Sequence, residues 1–219
     1  MPQPLSKVRP GAGFQLGNVG DYPLKRHPDL ALLLAESIAS WGNVESFMLN
    51  LFVDLMGGPE DRAATVFLAQ ETQTAKSAAI VAVAEEYLPD EIKPLLRAIF
   101  AILKTNQKAR DKIAHGVWGD TKELPDALLL CNARVLLGKE RPDKARIYVY
   151  KEGDFKNLIG ANERLAGYGL TFRFILSGHP ANEDGKLFAQ LCAVPEIRER
   201  LNRPASPGEP PPAKSPEPQ

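Results

Sequence analysis

Apolar residues recur at intervals of three and four over most of the chain, which is the spacing of helices that bury one face. The first apolar stripe begins after Pro28 and continues to Leu55, where the glycine pair at 57–58 ends it. Pro89 separates two later stripes, because proline cannot continue a helix. The predicted helices span residues 28–55, 59–70, 73–88 and 90–115. This pattern is typical of a mainly α protein that folds as an up-and-down helical bundle.

The hydrophobic period changes between residues 126 and 150. Short apolar runs at 127–137 and 147–150 flank a charged loop at 138–144, and such runs are typical of strands rather than helices. The segment therefore predicts a small β-hairpin inserted in the helical fold.

Helical spacing returns after the hairpin and predicts further helices at the C-terminal end. Asp154 is a suitable cap for a helix that continues to Gly178. Glycines within that helix lower its intrinsic stability, so packing must stabilise it. A last helix is predicted over 183–202, with a kink or break at Pro195.

Both ends of the chain differ in composition from the helical domain, which is expected at 28–202. Residues 1–27 contain several prolines and glycines and predict an extended arm on the bundle. The glycines at 11–20 resemble a phosphate-binding loop, but no strand precedes them, so we favour an arm. Residues 203–219 are rich in proline and poor in apolar side chains, which predicts a disordered tail.

Charge and cysteine content exclude several classes of protein. Lys plus Arg and Asp plus Glu number 27 each, so the chain has no overall field that would attract nucleic acid. Cys131 and Cys192 lie far apart without metal-ligand spacing, which argues against a disulfide framework or a zinc site. No apolar run is long enough to span a membrane, and the first residues lack the apolar core of a signal peptide. We expect a cytoplasmic protein with no membrane segment, metal or other cofactor.

A candidate site lies at the end of the predicted helix 90–115, where Arg110 and His115 are separated by four residues. On an ideal helix the two residues are about 140° apart, so the Arg side chain must reach round the helix. Asp111 is four residues from His115 and shares its face. The lysines on or beside that face are Lys104, Lys108 and Lys112. A small anion such as a phosphodiester would find its counter-charge here.

These residue types suit the cleavage of RNA without a metal. A base must take the proton of the 2′-hydroxyl, a cation must stabilise the charge at phosphorus, and an acid must protonate the leaving oxygen. Histidine acts as base or acid near neutrality, and arginine binds phosphate oxygens through its planar fork. Since each chain offers one well-placed histidine, a twofold homodimer that joins two His115 and two Arg110 would supply both proton-transfer groups.

The motif from Arg110 to Gly116 has a polar residue after the Arg and ends in Ala-His-Gly. It resembles the Arg-x4-6-His signature of the HEPN superfamily of helical bundles, many of which are metal-independent endoribonucleases with the active site at a dimer interface. The resemblance covers about residues 28–120 and implies that Arg110 binds phosphate, His115 transfers protons and Asp111 orients them, although the family often has Asn after the Arg. Our leading hypothesis is a nuclease of this type, a toxin-like or defence effector that an antitoxin or other inhibitor protein holds in check.

Other functions fit the same residues. A non-catalytic module would keep the basic face for RNA or a nucleotide, and an interaction protein would dock partners through the bundle and the Pro-rich tail. A structural role is also open, in which Arg110 and His115 bond helix carbonyls or an acid such as Glu45. Outside the motif, we expect core or lid positions for the tryptophans and surface or capping positions for the other histidines, namely Trp41, Trp118, His27 and His179.

Overall fold

The computed structural model describes residues 1–17, 23–134 and 143–202. Within these ranges the helices are α1 (Leu5–Val8), α2 (Pro23–Arg26), α3 (Pro28–Ala39), α4 (Trp41–Met56), α5 (Glu60–Leu68), α6 (Gln73–Tyr87), α7 (Lys93–His115), α8 (Glu152–Leu176), α9 (Lys186–Ala193) and α10 (Pro195–Leu201). The strands are β1 (Gln3–Pro4), β2 (Gln15–Leu16), β3 (Gly116–Asp120), β4 (Ala127–Asn132) and β5 (Ile147–Lys151). The described chain is thus mainly helical, as predicted. None of its helices has the length and apolar character that crossing a membrane requires.

Helices α4 to α10 surround one apolar core. The predicted helices over 59–70, 73–88 and 90–115 are confirmed as α5, α6 and α7. Trp41 is 3% exposed in this core, which confirms its predicted core position. Other members come from α4, α5, α6, α7 and α8 and include Met48, Leu51, Phe67, Ile80, Ile99 and Phe172.

The predicted continuous helix over residues 28–55 is wrong, because the structure has two helices there. Ser40 ends α3 and precedes α4. Its Oγ donates to the Ser37 carbonyl at 3.0 Å, and the Asn162 amide of α8 donates to the same Oγ at 2.9 Å. Such side-chain bonds compete with the regular helical pattern. Apolar positions keep their spacing of three and four across Ser40, so the hydrophobic period does not reveal the break.

The described residues form a five-stranded antiparallel sheet in the order β1-β5-β4-β3-β2. The predicted hairpin is confirmed as β4 paired with β5, with Leu129 opposite Val149. The expectation of only a small hairpin insertion is wrong, since three more strands extend it. The apolar run predicted to 137 ends as a strand at Asn132. Residues 135–142, which contain most of the predicted charged loop, lie outside the described ranges.

Strand β3 begins directly after α7, and the hydrophobic pattern does not predict it. Gly116 and Gly119 predict the end of a helix, yet the chain continues through both as a strand paired with β4. A Cβ at Gly116 would lie 2.3 Å from Leu130 Cδ1, and one at Gly119 would lie 2.2 Å from the Gln15 carbonyl oxygen. Glycine is needed at both positions because neighbouring strands leave no room for a side chain.

The described part of the N-terminal arm pairs with the sheet. Strand β1 lies beside β5, and β2 lies beside β3, so the arm covers both edges of the three central strands. Leu5 is fully buried, and the Gly17 N–H donates to the Trp118 carbonyl at 3.0 Å. The rest of the glycine-rich stretch reaches residues 18–22, which lie outside the described ranges.

Both faces of β4 are covered, so its burial does not alternate along the strand. One face packs against the helices through an aromatic cluster of Trp118, Tyr150 and Phe155, with ring centroids 5.4 to 5.9 Å apart. Trp118 is 5% exposed, which confirms its core position. The other face packs against the arm through Leu5 and Leu129.

The predicted helix after the hairpin is confirmed as α8. Asp154 lies in its first turn rather than before it, and its Oδ2 accepts the Lys151 N–H at 3.1 Å. The helix ends two residues before Gly178, which adopts a left-handed conformation with φ of 62°. Gly169 lies where α8 crosses α4, and its missing side chain makes room for Phe47.

The last predicted helix is divided, as expected, at Pro195. Helices α9 and α10 follow a short 3-10 segment, Pro180–Gly185. His179 Nδ1 accepts the Ala181 N–H at 3.1 Å, which confirms its predicted capping role. The predicted tail at 203–219 lies outside the described ranges.

We expect Gly169→Ala to destabilise the fold, because a Cβ there would lie 2.2 Å from Phe47 Cδ2. Overpacking of this kind costs about 1–3 kcal/mol. In the matched control, Gly167→Ala, the added Cβ meets nothing within 4 Å and should raise stability by up to about 1 kcal/mol. Urea denaturation followed by circular dichroism measures both. Equal midpoints for Gly169→Ala and the unmodified protein would contradict the close helix crossing.

Candidate functional site

The candidate motif lies at the junction of α7 and the sheet. His115 is the last residue of α7, and Gly116 is the first residue of β3. A Cβ at Gly116 would lie 2.7 Å from the Lys112 carbonyl oxygen as well as against Leu130. The buried Trp118 indole donates to the Ile113 carbonyl at 3.2 Å, which satisfies one of the last carbonyls of the helix. The junction therefore fixes His115 at the end of the sheet.

A cleft of about 660 Å³ opens beside this junction. Its volume lies within the range of about 300–1,000 Å³ that is usual for ligand sites. One wall is the exposed face of α7, and the other consists of residues at the ends of β4 and β5. The lining residues are Lys108, Asp111, Lys112, His115, Gly116, Cys131, Asn132, Arg134, Arg146 and Tyr148.

The helix wall of the cleft consists of Lys108, Asp111, Lys112 and His115. His115 is exposed, and its imidazole has no hydrogen-bond partner among the described residues. Lys112 Nζ lies 3.5 Å from the centroid of the Tyr148 ring. Burial lowers the pKa of Lys112 below the ordinary value for lysine. The imidazole is thus open to a ligand in the cleft, while Lys112 is held against the opposite wall.

The sheet wall of the cleft consists of Asn132, Arg134, Arg146 and Tyr148. Gly116 pairs with Asn132, and Cys131 pairs with Ile147. Continuing that antiparallel register by one residue places Arg146 opposite Asn132. Arg134 and Arg146 are exposed, and neither side chain makes an ion pair with any residue in the described ranges.

Arg110 lies on a different side of α7 from His115, as the spacing predicts, and does not line the cleft. Its side chain is 29% exposed. Nη1 donates to Asp111 Oδ1 at 3.1 Å, whereas Nε is buried and has no partner among the described residues. The guanidinium therefore reaches round the helix as far as Asp111, which does line the cleft. Its acidic partner is Asp111 rather than Glu45.

The structure brings together four of the six residues predicted for the site, namely His115, Asp111, Lys108 and Lys112. Arg110 and Lys104 lie outside the cleft lining. The sequence did not identify the sheet wall, because its residues lie outside the motif. Only the strand register could have placed Asn132 and Arg146 near His115.

Positive charge dominates the cleft although the whole chain is neutral. Among the described lining residues, Lys108, Lys112, Arg134 and Arg146 face one carboxylate, that of Asp111. That carboxylate already accepts a bond from Arg110. Cations on the walls of a concave site raise the local concentration of anions, and a phosphate group has the charge and acceptor oxygens that these donors require.

A second recess, of about 540 Å³, lies between the arm and the end of β3. Most of its charged side chains already have partners within the chain. Asp120 Oδ2 accepts Arg26 Nε–H at 2.7 Å and lies 3.5 Å from His27 Nε2, and Glu123 accepts the Gly13 N–H at 3.2 Å. His27 is the N-cap residue of α3, which agrees with the expected surface or capping position, although its side chain is 13% exposed and makes no capping hydrogen bond.

No family model, curated protein or solved structure matches the chain. The resemblance to the HEPN superfamily therefore rests on the motif residues alone. The described residues also contain no group of three or more His, Cys, Asp or Glu side chains that could hold a metal ion.

We expect Lys112 to titrate below the ordinary pKa of lysine, because burial disfavours its charged form. The unfolded chain then binds more protons than the folded chain in the interval between the two pKa values, so stability rises with pH there. Side-chain amine NMR measures the titration, and urea unfolding at several pH values measures the rise. Lys112→Gln should remove the rise. A midpoint for Lys112 at or above that of an unfolded peptide would contradict its partial desolvation against Tyr148.

Proposed function

We propose that the chain is an RNA-binding protein and a metal-independent endoribonuclease of the HEPN type. The single observation that carries the proposal is an exposed imidazole, that of His115, on the wall of a cleft lined by Lys108, Lys112, Arg134 and Arg146. A phosphodiester held by these cations lies within the same cleft as a group that exchanges protons near neutral pH.

In the proposed reaction, His115 takes the proton of a 2′-hydroxyl. The 2′-oxygen forms a bond to the adjacent phosphorus, and the bond from phosphorus to the 5′-oxygen breaks. A second group protonates the leaving 5′-oxygen. The products are a 2′,3′-cyclic phosphate and a 5′-hydroxyl. Lys108 and Lys112 stabilise the charge that develops on the phosphate oxygens.

The second proton-transfer group comes, in this proposal, from a second copy of the chain. Each helix wall supplies one histidine, and a twofold axis beside α7 would bring two His115 into one composite cleft. The same arrangement would place the exposed part of the Arg110 guanidinium near the phosphate. Asp111, which bonds Arg110 within one chain, would then orient that guanidinium.

The Arg110–Asp111 bond also favours a second candidate function, which is RNA binding without cleavage. Asp111 occupies one donor of Arg110 and places negative charge beside the cleft. A protein of this kind binds RNA through Lys108, Lys112, Arg134 and Arg146 and releases it unchanged. Its affinity would fall steeply with salt, because phosphate contacts release counterions.

We expect the purified protein to cleave single-stranded RNA in the presence of EDTA and to leave cyclic phosphate ends. His115→Ala should reduce the cleavage rate by at least about 100-fold, since a general acid–base group contributes roughly 10²–10⁴. Arg110→Ala should reduce it by about 10²–10³, the usual loss when a group that stabilises transition-state charge is removed. Gel analysis of a labelled oligonucleotide measures the rate. A 2′-deoxy nucleotide at the cleaved position should block the reaction completely.

His179→Gln is the matched control, because His179 caps Ala181 at the far end of α8 and lies outside the cleft. It should cleave at the unmodified rate. Equal cleavage by His115→Ala and by His179→Gln would exclude His115 from the reaction. If the protein binds RNA in a salt-sensitive way but leaves it intact, the result supports RNA binding without cleavage.

We expect the active unit to contain two copies of His115. When wild-type and His115→Ala chains are unfolded and refolded together in equal amounts, random pairing leaves about one quarter of the dimers with both histidines. Activity at constant total protein should fall to about one quarter if each site needs both. A fall to one half would show that each chain acts alone, and sedimentation of the same mixtures gives the oligomeric state.

A further inference from the structure

The sheet wall of the cleft carries positive charge that the helix motif does not explain. Arg134 follows β4 by two residues, and Arg146 immediately precedes β5. Both side chains are exposed and have no ion-pair partner within the described ranges. Unpaired arginines facing the same cleft repel each other, and an anion bound between them would relieve that repulsion.

The Asn132, Arg134 and Arg146 side chains of the sheet wall present mainly hydrogen-bond donors to the cleft. The Asn132 Oδ1 already accepts the Arg134 N–H at 2.9 Å, which leaves the amide N–H₂ to face a ligand. The arginines can only donate. Phosphate oxygens can only accept, so they suit this wall better than base edges, which present donors and acceptors together.

Within the sheet wall, Asn132 lies on the strand next to His115, whereas Arg146 lies two strands away. His115 immediately precedes β3, whereas Arg146 immediately precedes β5, and β4 lies between those strands. Two strand spacings amount to about 10 Å. One phosphate at His115 therefore leaves Arg146 available to another phosphate of the same ligand.

We propose that Arg134, Arg146 and Asn132 form a second phosphate subsite, which binds the backbone of a single-stranded RNA beside the nucleotide held at His115. This inference rests on the proposed function for its ligand class. A recessed, cationic groove is the usual means of following a single strand. Among the described residues that line the cleft, Tyr148 has the one aromatic ring, and Lys112 covers one face of it, so the subsite reads the backbone rather than the base.

The test compares two double variants that remove equal charge. Arg134→Gln with Arg146→Gln removes the subsite, and Arg62→Gln with Arg198→Gln removes two exposed cations outside the cleft. The probe is a labelled 2′-O-methyl RNA octamer, which cannot be cleaved by attack of its own 2′-oxygen. Fluorescence anisotropy gives its Kd at several salt concentrations.

The subsite variant should bind the octamer about tenfold more weakly at low salt, and its salt slope should fall by about 1.4, since each phosphate contact with a single strand contributes about 0.7. The control variant should keep the wild-type slope. The gain in affinity from a trimer to the octamer should also shrink in the subsite variant alone. Equal slopes for the two variants would overturn the subsite.

The outcome separates the subsite from the proposed function. If the wild-type protein leaves an unmodified octamer intact while the slopes differ as expected, the nuclease is wrong and the subsite is supported. If the protein cleaves the octamer but the two variants bind alike, the subsite is wrong and the nuclease stands. If the wild-type protein does not bind the octamer at all, both are overturned.

Discussion

The contact between the end of α7 and the centre of the sheet is the constraint on which the rest of the structure depends. A helix of 23 residues passes into β3 without a loop, and only the absence of a side chain at Gly116 lets Leu130 approach its backbone. The Trp118 indole holds the same junction by donating to the Ile113 carbonyl. Because helix and sheet cannot separate here, the last turn of α7 remains beside the ends of β4 and β5.

The local concentration of positive charge follows from that junction. Over the whole chain, cations and anions balance at 27 each. The cleft is nevertheless cationic, because Lys108 and Lys112 approach Arg134 and Arg146 only when the sheet has formed. The positive electrostatic potential of the cleft therefore depends on the tertiary structure, because the unfolded chain does not hold these four cations together. A protein with no net charge can therefore still attract a polyanion at one local site.

Several elements could be predicted from the sequence because their signals are local. Helices α5, α6 and α7 follow from apolar spacing, and the β4–β5 hairpin follows from a change of period. The break at Ser40 could not be predicted, since the apolar phase continues across it. Strand β3 was missed because Gly116 and Gly119 indicate helix ends in sequence, whereas here they allow close packing. The sheet wall of the candidate site could not be predicted for a related reason, since only the strand register brings Arg146 near His115.

The arm has a consequence for how the chain folds as it is made. Strands β2 and β1 pair with Asp120 and Val149, more than one hundred residues further along the chain. Contacts over such separations form slowly, because a long loop must close before they contribute. Until those later residues have been synthesised, β1 and β2 lack the strands with which they pair, and Leu5 lacks its contacts with the sheet. During that interval the arm is exposed to strand pairing with other chains, and chaperones that bind it would have their greatest effect then.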